Sequence, residues 1–441
     1  MASLALHFGH LGRLGAFGLC AALLAACGDD TDPNPASTTT GSASTTGSTS
    51  SGMGAAGGTG GAGGAGGSGG EGGAIPPPEL GEVLEELRAD LDATLSKYAA
   101  FETGWPLALA NGHLFVTADV SQTLVAGDHD AWAGTPMMED SGFRWVVLQV
   151  PADDHYKFVS ADYKADPWSR SFNYDEFGEI SIVTPTAAHL DRFFEVGDTV
   201  LEPRTLRIWV PQGSASHVLY VHDGQNLFNP DGNWGGWRLQ ESVPPGMLLV
   251  GIDNTSARFE EYTHVQDDIG QLVGGQGDAY ADYLQNTIRP MIASRYGGEP
   301  PAVGVMGSSL GGLISLHIAD RAPGVYDFAA SLSGTLGWGS IGLMNETLIE
   351  RHADHGHQTT VLYVDSGGAG DCFDIDGDGI EDDDPSASDN YCENVQLQGV
   401  LLGVGYTEGV DLHSFWDPGA EHNEAAWAAR VFRPLDIFAG L

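Results

Sequence analysis

The sequence predicts an α/β fold, in which a mostly parallel sheet covered by helices is preceded by a small all-β domain. Apolar runs of strand length alternate with helical stretches in the C-terminal half, which is typical of a parallel sheet with both faces covered. Upstream, residues 114–183 contain short alternating runs separated by Gly, Pro and Asp, the pattern of an antiparallel β-sandwich. The C-terminal strand-like runs are Thr205–Val210, His217–Val221, Met247–Ile252, Ala302–Met306 and Thr360–Val364.

The N-terminal residues have the arrangement of a secretory signal. Arg13 precedes an uncharged apolar run over residues 14–26, which is too short to cross a bilayer as a helix. The run ends in Leu-Ala-Ala-Cys-Gly at residues 24–28, which resembles the lipobox of bacterial lipoproteins. The resemblance implies a lipoprotein signal peptide over residues 1–26 and lipid attachment to Cys27. We therefore expect an exported protein anchored by lipid in a bacterial cell envelope. Inner and outer membrane both stay open, and the long tether that follows favours the outer membrane or cell surface.

Residues 27–78 are expected to form a disordered tether. They are rich in Gly, Ser and Thr, so they cannot bury enough apolar surface to offset the entropy of ordering. A flexible chain of this length holds the folded part roughly 40 Å from its anchor. Apolar residues at helical spacing then predict one amphipathic helix over residues 79–100. The β-sandwich is predicted over residues 101–188 and the α/β domain over residues 189–441.

Composition excludes one class of partner and predicts one covalent link. The chain has 60 acidic and 18 basic residues and a net charge of −42. A field of this sign repels nucleic acids, so we expect none as a partner. Cys20 leaves with the signal and Cys27 takes lipid, so Cys372 and Cys392 remain and predict one disulfide in an exported protein. Nothing in the sequence specifies an oligomeric state.

The strongest chemical signal is the motif Gly-Ser-Ser-Leu-Gly at residues 307–311. A strand-like run precedes the motif and a helical run follows it, which is the setting of a nucleophile elbow. The glycines permit a sharp turn, and the central Ser309 would lie where the helix dipole favours a developing anion. The amide of Leu310 is the expected first donor to an oxyanion. The second is the amide of Gln225, because the run 218–228 ends a strand in a glycine turn.

A serine hydroxyl needs a base to take its proton. His422 lies after the last strand-like run and just before a terminal helix, as the chain order Ser, acid, His requires. His413 is its main rival, but that residue lies in a segment of strand character. His422 is therefore the expected general base.

The carboxylate that orients the base is left open. Asp371 lies in a short glycine turn after the strand-like run 360–364, whereas Asp389 directly precedes a predicted helix. An apparent insertion over residues 372–388 separates them. The predicted disulfide would bring both acids close together, so Asp371 and Asp389 stay equal candidates, with Asp365 as a third.

The insertion contains an acidic loop with carboxylates at the spacing of calcium ligands. Aspartates occupy positions 1, 3, 5 and 9 of the loop, with glycine at position 6. Pro385 stands where an EF-hand has its bidentate Glu, so the loop resembles those of dockerin or thrombospondin type. We expect a structural calcium ion here, and no cofactor for catalysis itself. The expected ligand set is Asp374, Asp376, Asp378, Ile380 and Asp382.

Several segments together resemble the esterase D and enterochelin-esterase-like branch of the α/β-hydrolases. They are residues 218–228, 251–262, 307–312 and 419–424. The resemblance implies an α/β-hydrolase catalytic domain and ester hydrolysis, without naming the ester. The sandwich, with Trp132, Trp145 and Trp168, is similar to early-set immunoglobulin-like modules related to family-48 carbohydrate-binding domains.

The expected activity is hydrolysis of a carboxylic ester through an acyl-Ser309 intermediate. The expected partner is a small-molecule or glycan-linked ester, of siderophore, aryl or carbohydrate type. Two alternatives stay open: an acyltransferase of the same fold, in which a sugar hydroxyl replaces water, and a non-catalytic surface lipoprotein that binds carbohydrate or acts as an adhesin. The presence of both Ser309 and His422 weighs against the second.

Overall fold

The computed structural model describes residues 77–100, 103–384 and 389–441. The predicted signal, the predicted lipidation site Cys27 and nearly all of the predicted tether lie outside these residues. Within the described residues, no helix combines the length and the apolar character needed to cross a membrane.

Two short helices open the described chain, α1 (Leu80–Ala89) and α2 (Leu91–Ala99). The structure divides the single helix predicted over residues 79–100, because Asp90 is extended, with φ −155° and ψ 102°. Asp90 caps α2 instead, and its side chain accepts a hydrogen bond from Ala93 N at 3.0 Å. Apolar residues of both helices pack against the sandwich that follows.

The sandwich consists of two antiparallel sheets. One sheet has the strand order β1-β2-β6-β5, and the other includes the order β9-β10-β7-β3-β4, with β8 paired to β7. Phe115 from the first sheet packs with Val125, Tyr156 and Phe158 from the second in a buried core. The strands are β1 (Leu107–Leu109), β2 (Gly112–Thr117), β3 (Leu124–Gly127), β4 (Thr135–Pro136), β5 (Met138–Asp140), β6 (Phe143–Leu148), β7 (Asp154–Val159), β8 (Tyr163–Lys164), β9 (Ser171–Asp175) and β10 (Gly178–Val183).

One strand joins the sandwich to the rest of the molecule. β11 (His189–Val196) pairs antiparallel with β9 on one side and with β12 (Arg204–Val210) on the other. The larger sheet therefore runs without a break from the sandwich into the α/β part, across the boundary predicted between residues 188 and 189.

The remaining strands form the mixed α/β sheet that the sequence predicted. The order is β20-β19-β18-β17-β13-β14-β12, with all neighbours parallel except β12 and β14. A separate hairpin is made by β15 and β16. The strands are β13 (His217–His222), β14 (Met247–Ile252), β15 (Gln266–Asp268), β16 (Leu272–Gly274), β17 (Ala302–Ser308), β18 (Phe328–Leu332), β19 (Val361–Ser366) and β20 (Leu412–Trp416).

Helices cover both faces of this sheet. Alternate residues of β13 enter opposite cores, Val218 and Tyr220 on one face and Leu219 and Val221 on the other. Because the strands are parallel, the loops that follow them lie at one edge of the sheet, where ligands bind in open α/β sheets. The helices are α3 (Arg258–Glu261), α4 (Gly277–Tyr283), α5 (Arg289–Arg295), α6 (Leu310–Arg321), α7 (Leu348–His355), α8 (Tyr391–Val404), α9 (Glu424–Arg430) and α10 (Phe432–Ala439).

Candidate active site

Ser309 occupies the sharp turn between β17 and α6. Its backbone has φ 56° and ψ −126°, a conformation that residues with side chains rarely adopt. The turn is fixed because Ser309 N donates to Leu332 O at 2.9 Å and Ser309 O accepts from Thr335 N at 3.3 Å. Gly307 is needed here, since a Cβ atom at that position would lie 2.5 Å from Gly311 O. The strand and the helix predicted to flank Ser309 are thus both present.

The hydroxyl of Ser309 lies beside the first turn of α6. Leu310 begins this helix, so its amide is one of the N-terminal N–H groups that have no acceptor within the helix. Ser309 Oγ is 3.4 Å from Thr335 Oγ1. Within the part of the chain that the structure describes, no hydrogen bond joins Ser309 Oγ to His422.

His422 lies in the loop between β20 and α9. Its Nδ1 is 2.6 Å from Asp389 Oδ1, and its ring meets the ring of Trp427 edge-on, with centroids 5.0 Å apart. A carboxylate only accepts hydrogen bonds, so the proton of a neutral His422 ring lies on Nδ1. Nε2 can then accept a proton from another group. This is the tautomer that a general base requires.

Asp389 is buried and held by several donors. Its Oδ2 accepts hydrogen bonds from Ser333 Oγ at 2.7 Å and from Gly367 N, and a guanidinium nitrogen of Arg430 lies 3.5 Å away. All three groups contact Oδ2, which leaves Oδ1 for His422. The orientation of Asp389 towards His422 is therefore fixed by the surrounding protein.

The other two acid candidates are placed differently. Asp371 is exposed, and no hydrogen bond between it and His422 is present in the described chain. Asp365 is buried and accepts hydrogen bonds from Arg430 Nε at 3.1 Å and from Tyr363 OH at 2.8 Å. Burial raises the pKa of Asp365 to about 6. Of the three acids, the structure brings Asp389 to His422.

Gln225 lies in the short turn that follows β13. Asp223 at its start has a left-handed backbone, with φ 58°, and accepts two hydrogen bonds from Arg258, both at 2.8 Å. Asn254 donates to Asp223 through its side chain at 2.6 Å and to Gln225 Oε1 through its backbone N–H at 3.2 Å. These contacts fix the backbone of the turn that carries the Gln225 amide.

The same turn is tied to the segment that carries His422. Asn226 Nδ2 donates to Glu424 Oε1 at 3.1 Å, and burial raises the pKa of Glu424. Sequence reasoning missed Asn226, Glu424 and Ser333. Glu424 could have been found from its place two residues after His422 in the 419–424 motif, whereas Ser333 has no local signal.

The insertion contains the predicted disulfide. Cys372 and Cys392 are bonded, with a Cα–Cα distance of 5.4 Å. Asp374, Asp376 and Asp382 can each place one carboxylate oxygen so that all lie within 4.8 Å of one another.

Of the other two predicted calcium ligands, Asp378 is not part of this group of carboxylates, and Ile380 at position 7 of the loop would offer its backbone oxygen. Asp378 Oδ1 accepts a hydrogen bond from Ile380 N at 2.8 Å, and Ile380 packs into the main core. Burial and the neighbouring carboxylates raise the pKa of Asp382.

The fold and the site together define an α/β-hydrolase. Ser309 follows β17, Ser333 follows β18 and His422 follows β20, so all of them lie at the carboxyl edge of the parallel sheet. The chain order of Ser309, Asp389 and His422 is the one this fold uses.

A family model described as "Putative esterase" matches residues 199–432, more than half of the chain. The chain therefore belongs to this esterase family, within the α/β-hydrolase fold, and is classed by it as a carboxylic ester hydrolase.

Individual relatives cover less of the chain or are distant. The "Uncharacterized protein YbbA" of Bacillus subtilis (strain 168) is 31% identical over 125 residues, which are 27% of this chain and 49% of that protein, so the chain spans about half the length of this curated relative. The enterobactin esterase FES from Shigella flexneri is 14% identical, with a TM-score of 0.42 over 74% of this chain and 93% of that one. An IroE-like serine hydrolase from Shewanella oneidensis is 18% identical, with a TM-score of 0.43 over 57% and 80%.

Proposed function

We propose that the protein is a serine esterase that cleaves carboxylic esters through a covalent acyl-Ser309 intermediate. The observation that carries the proposal is the 2.6 Å hydrogen bond between His422 Nδ1 and the buried Asp389, at the same edge of the sheet as the strained turn of Ser309. A siderophore, aryl or carbohydrate-linked ester is the substrate class, on the resemblance of the sequence motifs.

In the first half-reaction, His422 Nε2 takes the proton of the Ser309 hydroxyl as Oγ attacks the carbonyl carbon of the ester. The carbonyl oxygen becomes an oxyanion, which accepts hydrogen bonds from the amides of Leu310 and Gln225. When the tetrahedral intermediate collapses, the bond to the alcohol oxygen breaks and the alcohol leaves with the proton from His422. Asp389 stabilises the imidazolium that forms in between.

In the second half-reaction, His422 takes a proton from water while the water oxygen attacks the acyl carbon. The acid is released and the proton returns to Ser309 Oγ. The mechanism requires the Ser309 hydroxyl to leave Thr335 Oγ1 for His422 Nε2. Such catalytic hydrogen bonds commonly tighten only once substrate is bound.

A structural calcium ion in the acidic loop is part of the proposal. The carboxylates of Asp374, Asp376 and Asp382 are hard oxygen ligands of the type that calcium prefers, and a cation between them would relieve their mutual repulsion. Export and anchoring through Cys27 are proposed from the sequence of residues 24–28 alone.

The test is hydrolysis of p-nitrophenyl acetate and p-nitrophenyl butyrate by the wild-type protein, Ser309→Ala and the matched control Ser308→Ala. We expect Ser309→Ala to lose at least about 10³-fold in kcat, because only binding and oxyanion stabilisation remain. Ser308→Ala should keep most of the activity, and mass spectrometry of quenched wild-type protein should find the acyl group on Ser309. Equal turnover by Ser309→Ala and wild type would refute the proposal. Acyl transfer to an added sugar in preference to water would favour the acyltransferase.

A further inference from the structure

The segment that directly follows β18 lies between the nucleophile turn and the buried acid. Leu332 O accepts a hydrogen bond from Ser309 N at 2.9 Å, and Thr335 N donates to Ser309 O at 3.3 Å. Between these two residues, Ser333 Oγ donates to Asp389 Oδ2 at 2.7 Å. One short segment therefore contacts both the residue expected to attack the ester and the residue that orients the base.

The hydroxyl of Ser333 takes part in three hydrogen bonds. Trp427 Nε1 lies 3.1 Å from Ser333 Oγ, and Arg430 Nη2 lies 2.6 Å from it. An indole N–H and a guanidinium can only donate, so these two groups occupy both lone pairs of the hydroxyl. The hydroxyl proton is then left for Asp389, whose carboxylate can only accept. The direction of each bond at Ser333 thus follows from the chemistry of its partners.

The backbone of Ser333 is also fixed. The residue is fully buried and has a left-handed φ of 47°. Its N–H donates to Asp365 O at 2.8 Å, and its carbonyl oxygen accepts from Asn390 Nδ2 at 2.8 Å. A residue with a Cβ atom keeps such a conformation only where the surrounding structure determines it, and these residues cluster at functional sites. The three bonds of the hydroxyl explain why this position holds serine rather than glycine.

The same hydroxyl acts on the base through Trp427. The Trp427 ring meets the His422 ring edge-on, at 81° and with centroids 5.0 Å apart. The bond from Trp427 Nε1 to Ser333 fixes the rotation of the indole and with it the surface that His422 packs against. Ser333 therefore contacts both groups that hold the imidazole, the Asp389 carboxylate and the Trp427 ring.

The donors behind Ser333 strengthen its bond to the acid. Donation from Arg430 and Trp427 polarises the Ser333 O–H group, because hydrogen bonds in series reinforce one another in a buried site. The polarised O–H holds Asp389 Oδ2, so that Oδ1 faces His422. Without this hydroxyl, Oδ2 loses a donor and the carboxylate can turn away from the imidazole.

We propose that Ser333 is a positioning residue of the esterase reaction, which orients Asp389 directly and the ring of His422 through Trp427. The proposal rests on the esterase function proposed above. The geometry of the base is thereby set at the end of β18, beside the strand that leads to Ser309.

The kinetic test compares Ser333→Ala with Ser331→Ala, which removes the hydroxyl of a fully buried serine without a hydrogen-bond partner in the described chain. Ser333→Ala keeps the Cβ atom and adds no backbone strain. It should lower kcat for p-nitrophenyl acetate about 10- to 100-fold and leave KM within about twofold, because both half-reactions use a correctly placed His422. Ser331→Ala should keep the kcat of wild type. Equal losses in the two variants, or no loss in Ser333→Ala, would overturn the positioning role.

A second variant and a double mutant exclude a purely structural effect. Ser333→Gly removes the same hydroxyl but suits the left-handed φ, so it should fold even if Ser333→Ala does not, and it should show the same loss of kcat. If Ser333 acts through Asp389, adding Ser333→Ala or Ser333→Gly to Asp389→Asn should lower kcat by less than about threefold further. Losses that multiply in full would overturn the proposal.

A measurement without turnover separates this proposal from the esterase function. The proton between His422 Nδ1 and Asp389 should give a downfield NMR signal in wild type, Ser309→Ala and Ser331→Ala. The signal should shift or broaden in Ser333→Ala and Ser333→Gly. An unchanged signal would overturn the positioning role even if wild type hydrolyses p-nitrophenyl acetate. Failure of wild type to hydrolyse this ester would instead refute the esterase function, and the NMR signal would still decide whether Ser333 positions the His–Asp pair.

Discussion

Asp389 and the acidic loop at residues 374–382 are close in sequence, but their carboxylates have different hydrogen-bond donors and countercharges. Asp389 is buried, and donors from Ser333, Gly367 and His422 converge on it beside Arg430. The acidic loop of the insertion is largely exposed. There the Asp374 carboxylate accepts hydrogen bonds from backbone N–H groups of the same loop, such as Gly377 N at 2.6 Å. No salt bridge links the aspartates at 374, 376 and 382 to Lys or Arg in the described chain.

The difference lies in where the compensating charge comes from. At Asp389 the chain itself supplies donors and a cation, so the carboxylate is oriented before any substrate arrives. In the loop the carboxylates face one another, and the proposed calcium ion would supply the compensation. The first arrangement suits catalysis and the second suits a bound ion.

The largest expected effect separates Asp389 from its exposed neighbour. Asp389→Asn should lower kcat for p-nitrophenyl acetate by about 10⁴-fold, because the single oxygen of asparagine would stay with the donors Ser333 and Gly367. Its NH2 group would then face His422 and select the wrong tautomer. Asp371→Asn is the control and should stay within about threefold of wild type. A comparable loss in Asp371→Asn would mean that the exposed acid acts in catalysis.

The next prediction tests the role of the Arg430 guanidinium as the countercharge of the buried aspartates. Arg430→Met should lower the free energy of unfolding by about 3–5 kcal/mol, because it leaves Asp365 and Asp389 buried without a countercharge. Arg238→Met removes an exposed ion pair with Glu241 and should change the free energy of unfolding by less than about 1 kcal/mol. Urea denaturation of the two variants beside wild type measures both values, and similar shifts would contradict the assigned role of Arg430.

The pH dependence of stability should reveal Asp365. Burial raises its pKa to about 6 in the folded protein, so the folded state binds this proton more tightly than the unfolded chain. The contribution to stability is full below about pH 4 and is lost as the pH rises through about 6, a change of about 3 kcal/mol. Denaturation curves across this range should show this decline in wild type but not in Asp365→Asn. Parallel profiles for the two proteins would refute the assignment.

The smallest effect concerns the loop. Calcium at about a hundred times its Kd should raise the free energy of unfolding by about 2.7 kcal/mol, and a chelator should reverse this. Asp376→Asn should abolish the calcium dependence, whereas Asp354→Asn, at an exposed acid outside the loop, should keep it. Thermal unfolding with and without calcium provides the measurement. An unfolding curve of the wild type that does not change with calcium would refute the calcium site.

Features encoded in continuous sequence could be predicted. The elbow around Ser309 has its strand, glycines and helix within about twenty residues, and the strand and helix on either side of His422 are equally local. The disulfide followed from counting cysteines. The roles assigned to these residues stay predictions until activity is measured.

Features that depend on distant contacts could not be predicted. Asp389 lies 22 positions from Gly367, whose amide it accepts, and 56 from Ser333, so only the fold shows that these donors converge. The division of the first helix at Asp90 also escaped prediction, because helical spacing of apolar residues continues across it. β11 was not predicted either, and alternation along one strand does not specify which strands it pairs with.

The continuity of the sheet through β11 has a consequence for how this enzyme can be altered. Removing the sandwich would expose the backbone of β11 as a free sheet edge, and such edges promote aggregation between copies of a chain. The sandwich therefore covers that edge. Unlike a module joined by a linker, it cannot be exchanged for another domain unless the replacement brings a strand of the same register.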